Sequence, residues 1–323
     1  MQKNIAIVMG GYSSEAEISL KSGEVVFNSL DTSKYALYKV YILKKKWVVI
    51  HNKKEYQIIK DDFSVIIDEE QIQFDCVFNA IHGDPGENGV LIAYFDLIGM
   101  NHTSAPFYQM ALTFNKRDTL SVVKEYGIPT ATSFYMHQTD EIVTDIIIKK
   151  VGLPCFVKPN RAGSSFGISK VYKEQNLKAA IEKACQEDEE ILIESFLDGT
   201  EVSVGVIEYQ GKLTVLPITE IVSENDFFDY QAKYEGKSQE ITPARISAAE
   251  KEKVVSLATK VYQVLNMKGF SRSEFIIVDG APYFLEINTV PGLTKESLLP
   301  QQAKQASISL TDLFDNAIQM ALN

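Results

Sequence analysis

The sequence has little cysteine, and no apolar run approaching the ~20 residues needed to span a bilayer. Its three cysteines, Cys76, Cys155 and Cys185, stand far apart without CxxC or Cys/His spacing. That argues against a disulfide framework and a zinc site, and predicts reduced thiols in a cytoplasmic protein. A secretory signal is missing too, because Ile5-Ala6-Ile7-Val8 meets Gly10-Gly11 too soon. Positive charge is scarce: 32 Lys and Arg against 43 Asp and Glu leave a net charge of −11, which speaks against broad nucleic-acid binding. Two phosphate-binding signatures are absent. The first strand is not followed by GxGxxG, and Gly236-Lys237-Ser238 fails as a Walker A loop because residue 231 is Gln.

What is present is an ordinary globular composition, 45% hydrophobic and 23% charged, over 323 residues. That length exceeds one typical core and predicts two or three domains. A strand over 4–9 runs through Gly10-Gly11-Tyr12-Ser13-Ser14 into a helix over 15–30, with Ser14 and Glu17 at capping-box spacing. A glycine turn before a helix N-terminus suits an anion or small ligand. Glu15 there either complements the helix dipole or grips a substrate ammonium. Strands over 35–43, 47–50, 64–68 and 75–80 follow, with a solvated turn at Lys44-Lys45-Lys46. The loop His82-Gly83-Asp84-Pro85-Gly86-Glu87-Asn88-Gly89 sits where open α/β sheets bind ligands. His82 has no second histidine at ligand spacing and reads more readily as a loop hydrogen-bonder than as a metal ligand. A helix over 90–99 closes this unit, with a boundary near 102.

Residues 107–127 read as one helix carrying Lys116 and Arg117. Next come a strand over 132–136, a helix over 140–151, a strand over 153–158, a Gly/Ser loop over 158–167 and a strand over 168–172. Such a hairpin can cover phosphates with backbone amides, and Lys158, following Cys155-Phe156-Val157, needs a partner for its charge. After a helix over 176–185, strands are expected over 190–194, 201–208 and 213–220. The connection at 195–199 can offer edge hydrogen bonds to an adenine, and Glu201 an acceptor for a ribose hydroxyl, although Glu194 or Glu201 alone reads more readily as facing solvent. Residues 221–247 are polar and rich in aromatics, and read as a lid with Lys233 and Tyr234 at its tip. A helix over 248–265, with Val254, Leu257, Ala258, Val261 and Leu265 inward, leads to the stretch around which the chain is organised. A last helix is expected over 310–322.

That stretch, 268–294, reads as two strands around Asp279-Gly280. Residues two apart share a face, so Arg272 goes with Glu274, and Glu286 with Asn288. An odd-numbered loop such as Asp279-Gly280-Ala281 would set Glu274 opposite Glu286 and Arg272 opposite Asn288. A two-residue turn would shift the register by one. The expectation is the first: Glu274 across from Glu286, not Leu285. Two carboxylates and an amide on one face suit a hard cation, Mg²⁺ above all.

Six motifs then stand in order: GGYSSEAEISLKSG, HGDPGENG, KPNRAGSSFGISKV, IESFLDGTEVSV, DYQAKY and GFSRSEFIIVDGAPYFLEINTVPGLTKESLLP. Together they resemble the D-alanine–D-alanine ligases of the ATP-grasp superfamily, from Gly10 to Pro300. The resemblance implies an α/β (α+β) protein with the ATP-grasp fold and a Rossmann-like N-terminal α/β domain. The domains expected are 1–102 with the first D-Ala site, 103–190 with the phosphate loop, and 191–323 with the metal site, second D-Ala site and lid. It implies that Lys116, Lys158, Ser164, Ser165 and Lys233 serve ATP. Glu194, Phe196 and Leu197 would hold the adenine and Glu201 the ribose. Glu274, Glu286 and Asn288 would bind two Mg²⁺, with Mn²⁺ admissible. Arg272 and the Gly292 amide would face the oxyanion. Glu15, helped by His82, would hold the first D-Ala ammonium, and Ser297 with the Leu298 amide the second carboxylate. Tyr234 and Lys233 would close over the site, with Ser164, Tyr234 and Glu15 relaying a proton. A homodimer is expected on the same ground.

This sequence departs from the family pattern in places. Glu274 stands for a more common Asp, Ala16 and Ala162 for charged residues, and Asn88 for an acid, none of which removes a chemical role. An ester-forming D-alanine–D-lactate ligase is the nearest alternative, but Lys233-Tyr234 resembles the dipeptide-forming type. A non-catalytic nucleotide-binding module would show broken metal or phosphate positions, and Lys158, Arg272, Glu274, Glu286 and Asn288 are all present.

Overall fold

The structure is a computed structural model that describes residues 2–163, 165–223 and 238–323. Ser164, Lys233 and Tyr234 lie outside the described residues, as does most of the expected lid.

Three sheets carry the described residues. The first comprises β1 (Lys3–Gly10), β2 (Tyr35–Leu43), β3 (Lys46–His51), β4 (Lys54–Ile59), β5 (Ser64–Ile67), β6 (Glu70–Ile72) and β7 (Cys76–Asn79), in the order β6-β5-β4-β3-β2-β1-β7. Only β2-β1-β7 is parallel, and β2 to β6 form an antiparallel meander. The Rossmann-like character is thus confined to three strands. The apolar run of β1 follows from its central place, since a parallel strand is covered on both faces. Helix α1 (Ala16–Ser29) packs on β1, and α2 (Val90–Leu97) follows the His82 loop. The Ser14–Glu17 capping box does not form. Glu15 is the N-cap residue, it makes no side-chain cap bond, and its amide donates to Ser13 Oγ.

The helix predicted over 107–127 is two, α3 (Phe107–Phe114) and α4 (Lys116–Glu125). Asn115 between them is extended, and its side chain accepts from the Asp118 amide, so it starts a new helix. The break leaves Lys116 as the first residue of α4.

The second sheet, β8 (Ser133–His137), β9 (Cys155–Pro159), β10 (Ser169–Val171) and β11 (Glu190–Ser195), is antiparallel in the order β10-β9-β11-β8. Helices α5 (Thr144–Val151) and α6 (Leu177–Ala184) bury Ile147, Val151 and Ile181 against Val157 and Ile193. A boundary at 190 would fall inside this sheet's last strand. The chain crosses to the third sheet between Ser195 and Thr200.

The third sheet has β12 (Thr200–Tyr209), β13 (Lys212–Val215), β14 (Thr219–Ser223), β15 (Ser238–Ile241), β16 (Phe270–Val278) and β17 (Ala281–Asn288). The strand expected over 213–220 is split around Pro217, which has no N–H for the ladder. Helix α7 (Ala248–Val264) begins with a capping box between Ser247 and Glu250. It buries Val254, Ala258, Val261 and Tyr262, with Leu257 only half-buried. Helix α8 (Leu298–Gln305), not foreseen as a helix, precedes α9 (Leu310–Leu322). The latter returns to the first sheet, where Phe314 meets Phe78 edge-on at 5.5 Å.

The β16–β17 hairpin reaches the expected pairing by an unexpected route. Its turn is the two-residue one: Asp279 and Gly280 have φ of 48° and 73°, and Val278 lies opposite Ala281. Simple alternation from that turn would set Glu274 against Leu285. A β-bulge intervenes, so that Phe275 faces Phe284 but Glu274 faces Glu286 and Arg272 faces Asn288. Leu285 is the extra residue. The odd-numbered loop is therefore wrong, and the register it was invoked to explain is right.

Candidate active site

Two cavities meet at this hairpin. The first, about 290 Å³, is walled by the N-terminus of α1, the His82 loop, the start of α4, the hairpin face and the N-terminus of α8. Glu15, His82, Lys116, Arg272, Glu286, Asn288, Gly292, Ser297 and Leu298 all line it. The second, about 430 Å³, lies between the second and third sheets, with Lys158, Ser165, Glu194, Phe196, Leu197, Glu201, Glu274 and Glu286 in its wall. Glu286 belongs to both, and Arg272 and Glu274, an ion pair, line one cavity each. The hairpin face is the partition.

In the first cavity, close packing fixes the reactive groups. Glu15 is buried, and its carboxylate lies 2.6 Å from where a Cβ on Gly163 would stand. Only glycine lets the loop rest on that acid. Lys116 ties the same loop down, with Nζ donating to the Ala162 carbonyl at 2.7 Å and lying 3.6 Å from Glu286. His82 Nδ1 is 2.8 Å from the Val290 carbonyl, and its Nε2 is 3.0 Å from Ser22 Oγ. A carbonyl only accepts, so Nδ1 carries the proton and Nε2 accepts from Ser22 in the neutral ring. Burial holds this imidazole below its ordinary pKa. His82 is thus a strut between α1 and the turn after β17. Gly292 comes so close to Ser297 that a Cβ would lie 2.6 Å from its Oγ. Ser297 precedes α8 without a side-chain cap bond, and the Leu298 and Leu299 amides of its first turn have no intrahelical acceptor, the arrangement that suits an anion.

The cavity also contains acids that sequence reasoning passed over. Glu87 accepts from the Gly83 amide at 3.0 Å. Burial, reinforced by the Glu15 charge, pushes its carboxyl up to about 7. The HGDPGENG motif pointed to it. Glu240, on β15, and Glu296 carried no such signal.

The second cavity centres on a buried ion pair. Lys158 Nζ lies 2.8 Å from Glu194 Oε2, with Glu194 only 3% exposed. Burial alone would lower the lysine pKa, but the Glu194 charge overrides it and raises it. Glu194 Oε1 is buried with no hydrogen-bond partner among the described residues, an acceptor waiting for a donor. Phe156 and Phe196, 6.2 Å apart, flank it, and the bulged Leu285 projects into the same space. The bulge thus turns two consecutive residues, Leu285 and Glu286, towards the cavity. Ser165 lines this cavity while Gly163 lines the other, so their loop bridges the two.

Glu274, Glu286 and Asn288 offer hard oxygen donors on one face, a set that fits Mg²⁺ completed by phosphate oxygens. No group of three His, Cys, Asp or Glu arranged for a metal occurs among the described residues, and the amide is the third donor here.

Residues 4–105 match the family profile described as D-ala D-ala ligase N-terminus, and residues 122–319 the one described as D-ala D-ala ligase C-terminus. A D-alanine–D-alanine ligase of Flavobacterium johnsoniae is 66% identical over 321 residues, with 99% of each chain covered. One from Christiangramia forsetii is 57% identical over 324 residues, covering 100% of this chain and 99% of the relative. Among solved structures, a D-Ala:D-Ser ligase from Enterococcus faecalis has 30% identity and a TM-score of 0.87, with 99% and 100% covered. A D-alanine–D-alanine ligase from Bacillus anthracis, complexed with ATP, has 27% identity and a TM-score of 0.80, with 99% and 97% covered. With both profiles spanning most of its length and full-length relatives at such identity, the chain belongs to the D-alanine–D-alanine ligase family.

Proposed function

We propose that the two cavities perform one reaction, the ATP-dependent joining of two D-alanines into D-alanyl-D-alanine for peptidoglycan precursors, in the cytoplasm where ATP is supplied. The observation that carries this is Glu286, which lines both cavities and stands opposite Glu274 on the face between them. A nucleotide on one side and an amino acid on the other would meet there.

ATP occupies the second cavity. The orphaned Glu194 Oε1 supports a bond from the adenine amino group, between Phe196 and Leu197, with the ribose at Glu201. Lys158 and Ser165 face the phosphates, and Lys116 reaches them from the first cavity beside Glu286. Glu15 holds the ammonium of the first D-alanine, and His82 fixes the walls around it. The carboxylate of that D-alanine takes the γ-phosphoryl group, giving an acyl phosphate and ADP. The second D-alanine rests its carboxylate on Ser297 and the Leu298 amide. Its deprotonated amine attacks the acyl carbon and phosphate leaves. Arg272 and the Gly292 amide stabilise the oxyanion that forms. Glu274, Glu286 and Asn288 would hold two Mg²⁺ ions, which neutralise phosphate charge that otherwise repels the attacking carboxylate. Ser164, Lys233 and Tyr234 enter this reading through family membership, and the seat of Gly163 on Glu15 supports a Ser164–Tyr234–Glu15 relay that takes the proton from the second D-alanine amine.

The reading is tested by phosphate release from Mg-ATP with D-alanine, L-alanine, or D-alanine plus D-lactate. D-alanine should drive release and L-alanine should not, and absence of D-alanine-dependent release sinks it. A homodimer is part of the reading. Val90 and Leu97 on α2, with Phe107 and Tyr108 on α3, expose apolar surface on adjacent helices that a second copy would cover. A monomeric mass in light scattering at micromolar protein contradicts it.

A further inference from the structure

Among the described residues, the reaction above leaves three acids of the first cavity without a task, Glu87, Glu240 and the exposed Glu296, and of these Glu240 is the one whose side chain bonds to α8. It stands on β15 opposite Ile221, and Ile221 packs on Leu298 at the start of α8. Its Oε2 accepts from Gln301 Nε2 at 2.9 Å, and the Gln301 backbone amide bonds back to the Ser297 carbonyl. Glu240 is thus anchored one helical turn from the residues assigned to the second carboxylate. Burial raises its pKa, and the Gln301 bond and the Arg272 charge act against that rise. Around it the described residues of the cavity present five carboxylates, Glu15, Glu87, Glu240, Glu286 and Glu296, against two cations, Lys116 and Arg272.

A carboxylate this close to an anion-binding helix start weakens the binding of a carboxylate ligand unless that ligand also brings positive charge. A zwitterionic D-amino acid does so and a D-2-hydroxy acid does not: the first enters with net charge zero, the second with −1. The two are otherwise nearly isosteric. We propose that Glu240 is a specificity-determining residue of the second subsite, selecting zwitterionic D-amino acids over D-2-hydroxy acids by charge. The inference rests on the ligase reading and names what its second site rejects. The residue acts on binding, so its effect falls on the KM for the second substrate. The amine loses its proton only afterwards, so kcat is not set by Glu240.

The test is a competition assay on the full chain with Mg-ATP and D-alanine, adding D-lactate or D-serine and separating the products by chromatography. Glu240→Gln keeps an acceptor for Gln301 and removes the charge. It should raise the D-lactate to D-alanine product ratio about tenfold, the scale of one partly screened charge contact. The D-serine to D-alanine ratio and the KM for ATP should stay fixed, because D-serine is zwitterionic too. Glu240→Asp should keep the wild-type preference. In the unmodified protein, raising salt from about 0.05 to about 0.5 M screens the same charge and should move the D-lactate ratio in the same direction, which tests the idea even if the variant misfolds. An unmoved D-lactate ratio, or an equal rise for D-serine, overturns the proposal while leaving the ligase reading standing. A wild-type chain without D-alanine-dependent turnover removes both.

Discussion

The two cavities that share Glu286 are built differently. The nucleotide cavity draws its wall mostly from residues 131–223, consecutive strands of two adjoining sheets, closed by one hairpin. The substrate cavity draws on Glu15, His82, Lys116, Arg272 and Ser297, which belong to five segments spread along the chain. One depends on local strand order. The other exists only where the first sheet, the hairpin and α8 are docked together. Among the described residues, the nucleotide cavity buries the Lys158–Glu194 pair, whereas the substrate cavity gathers acids that repel one another.

Glu286 is where the distinction fails, and replacing it is the strongest test. Glu286→Ala should abolish D-alanine-dependent phosphate release, because both cavities lose the same carboxylate. Near-normal turnover would refute the shared wall. Lys158→Met should hit only the nucleotide side. It leaves Glu194 buried without its partner, which should cost about 3–5 kcal/mol of stability in denaturant unfolding and most of the ATP affinity. D-alanine binding lost to the same degree would mean the cavities are not separable. Gly292→Ala should do the reverse. Its Cβ would displace the Ser297 hydroxyl, raising the KM for the second D-alanine about tenfold with the KM for ATP unchanged.

The mildest test uses pH. Glu87 has a folded pKa of about 7, above the 4.5 of an ordinary glutamate. Between those values the unfolded chain releases this proton and the folded chain keeps it, so the group's contribution to stability declines as pH rises from 4.5 to 7. Glu87→Gln removes that dependence. The Tm of the variant relative to wild type should climb across this window and level off above it. A constant difference would mean that neither burial nor the neighbouring Glu15 raises the Glu87 carboxyl.

The nucleotide cavity was the more legible in sequence, for the same reason that it is the simpler to build. Lys158 after an apolar triplet announced a buried charge in need of a partner, and Glu194 on the neighbouring strand supplies it. The split at Asn115 was readable in hindsight from its capping side chain, and the split at Pro217 from its missing N–H. Polar strands such as β4 and β6 gave no signal, because their burial pattern carries little alternation. In the substrate cavity, motif resemblance named Glu15, His82 and Ser297. It did not reveal that both nitrogens of His82 are engaged within the protein, or that Glu240 faces the same space. Those facts depend on segments far apart in the chain, 60 residues for His82 and Ser22 and 208 for His82 and Val290.

The hairpin separates the two kinds of information most sharply. By itself the sequence determined that Arg272, Glu274, Glu286 and Asn288 belong together, since side-chain alternation and hard-oxygen chemistry are local properties. It even contained the trace of the bulge. Phe284 and Ile287 are both buried yet three residues apart, which a regular strand buried on one face does not permit. Only the tertiary structure decided how the four meet. The tight Asp279-Gly280 turn sets one register, and the packing of Phe284 inward with Leu285 and Glu286 outward forces the ladder to skip a residue. A strand's phase is fixed by which side chains the core will accept, and the core is assembled from the whole chain.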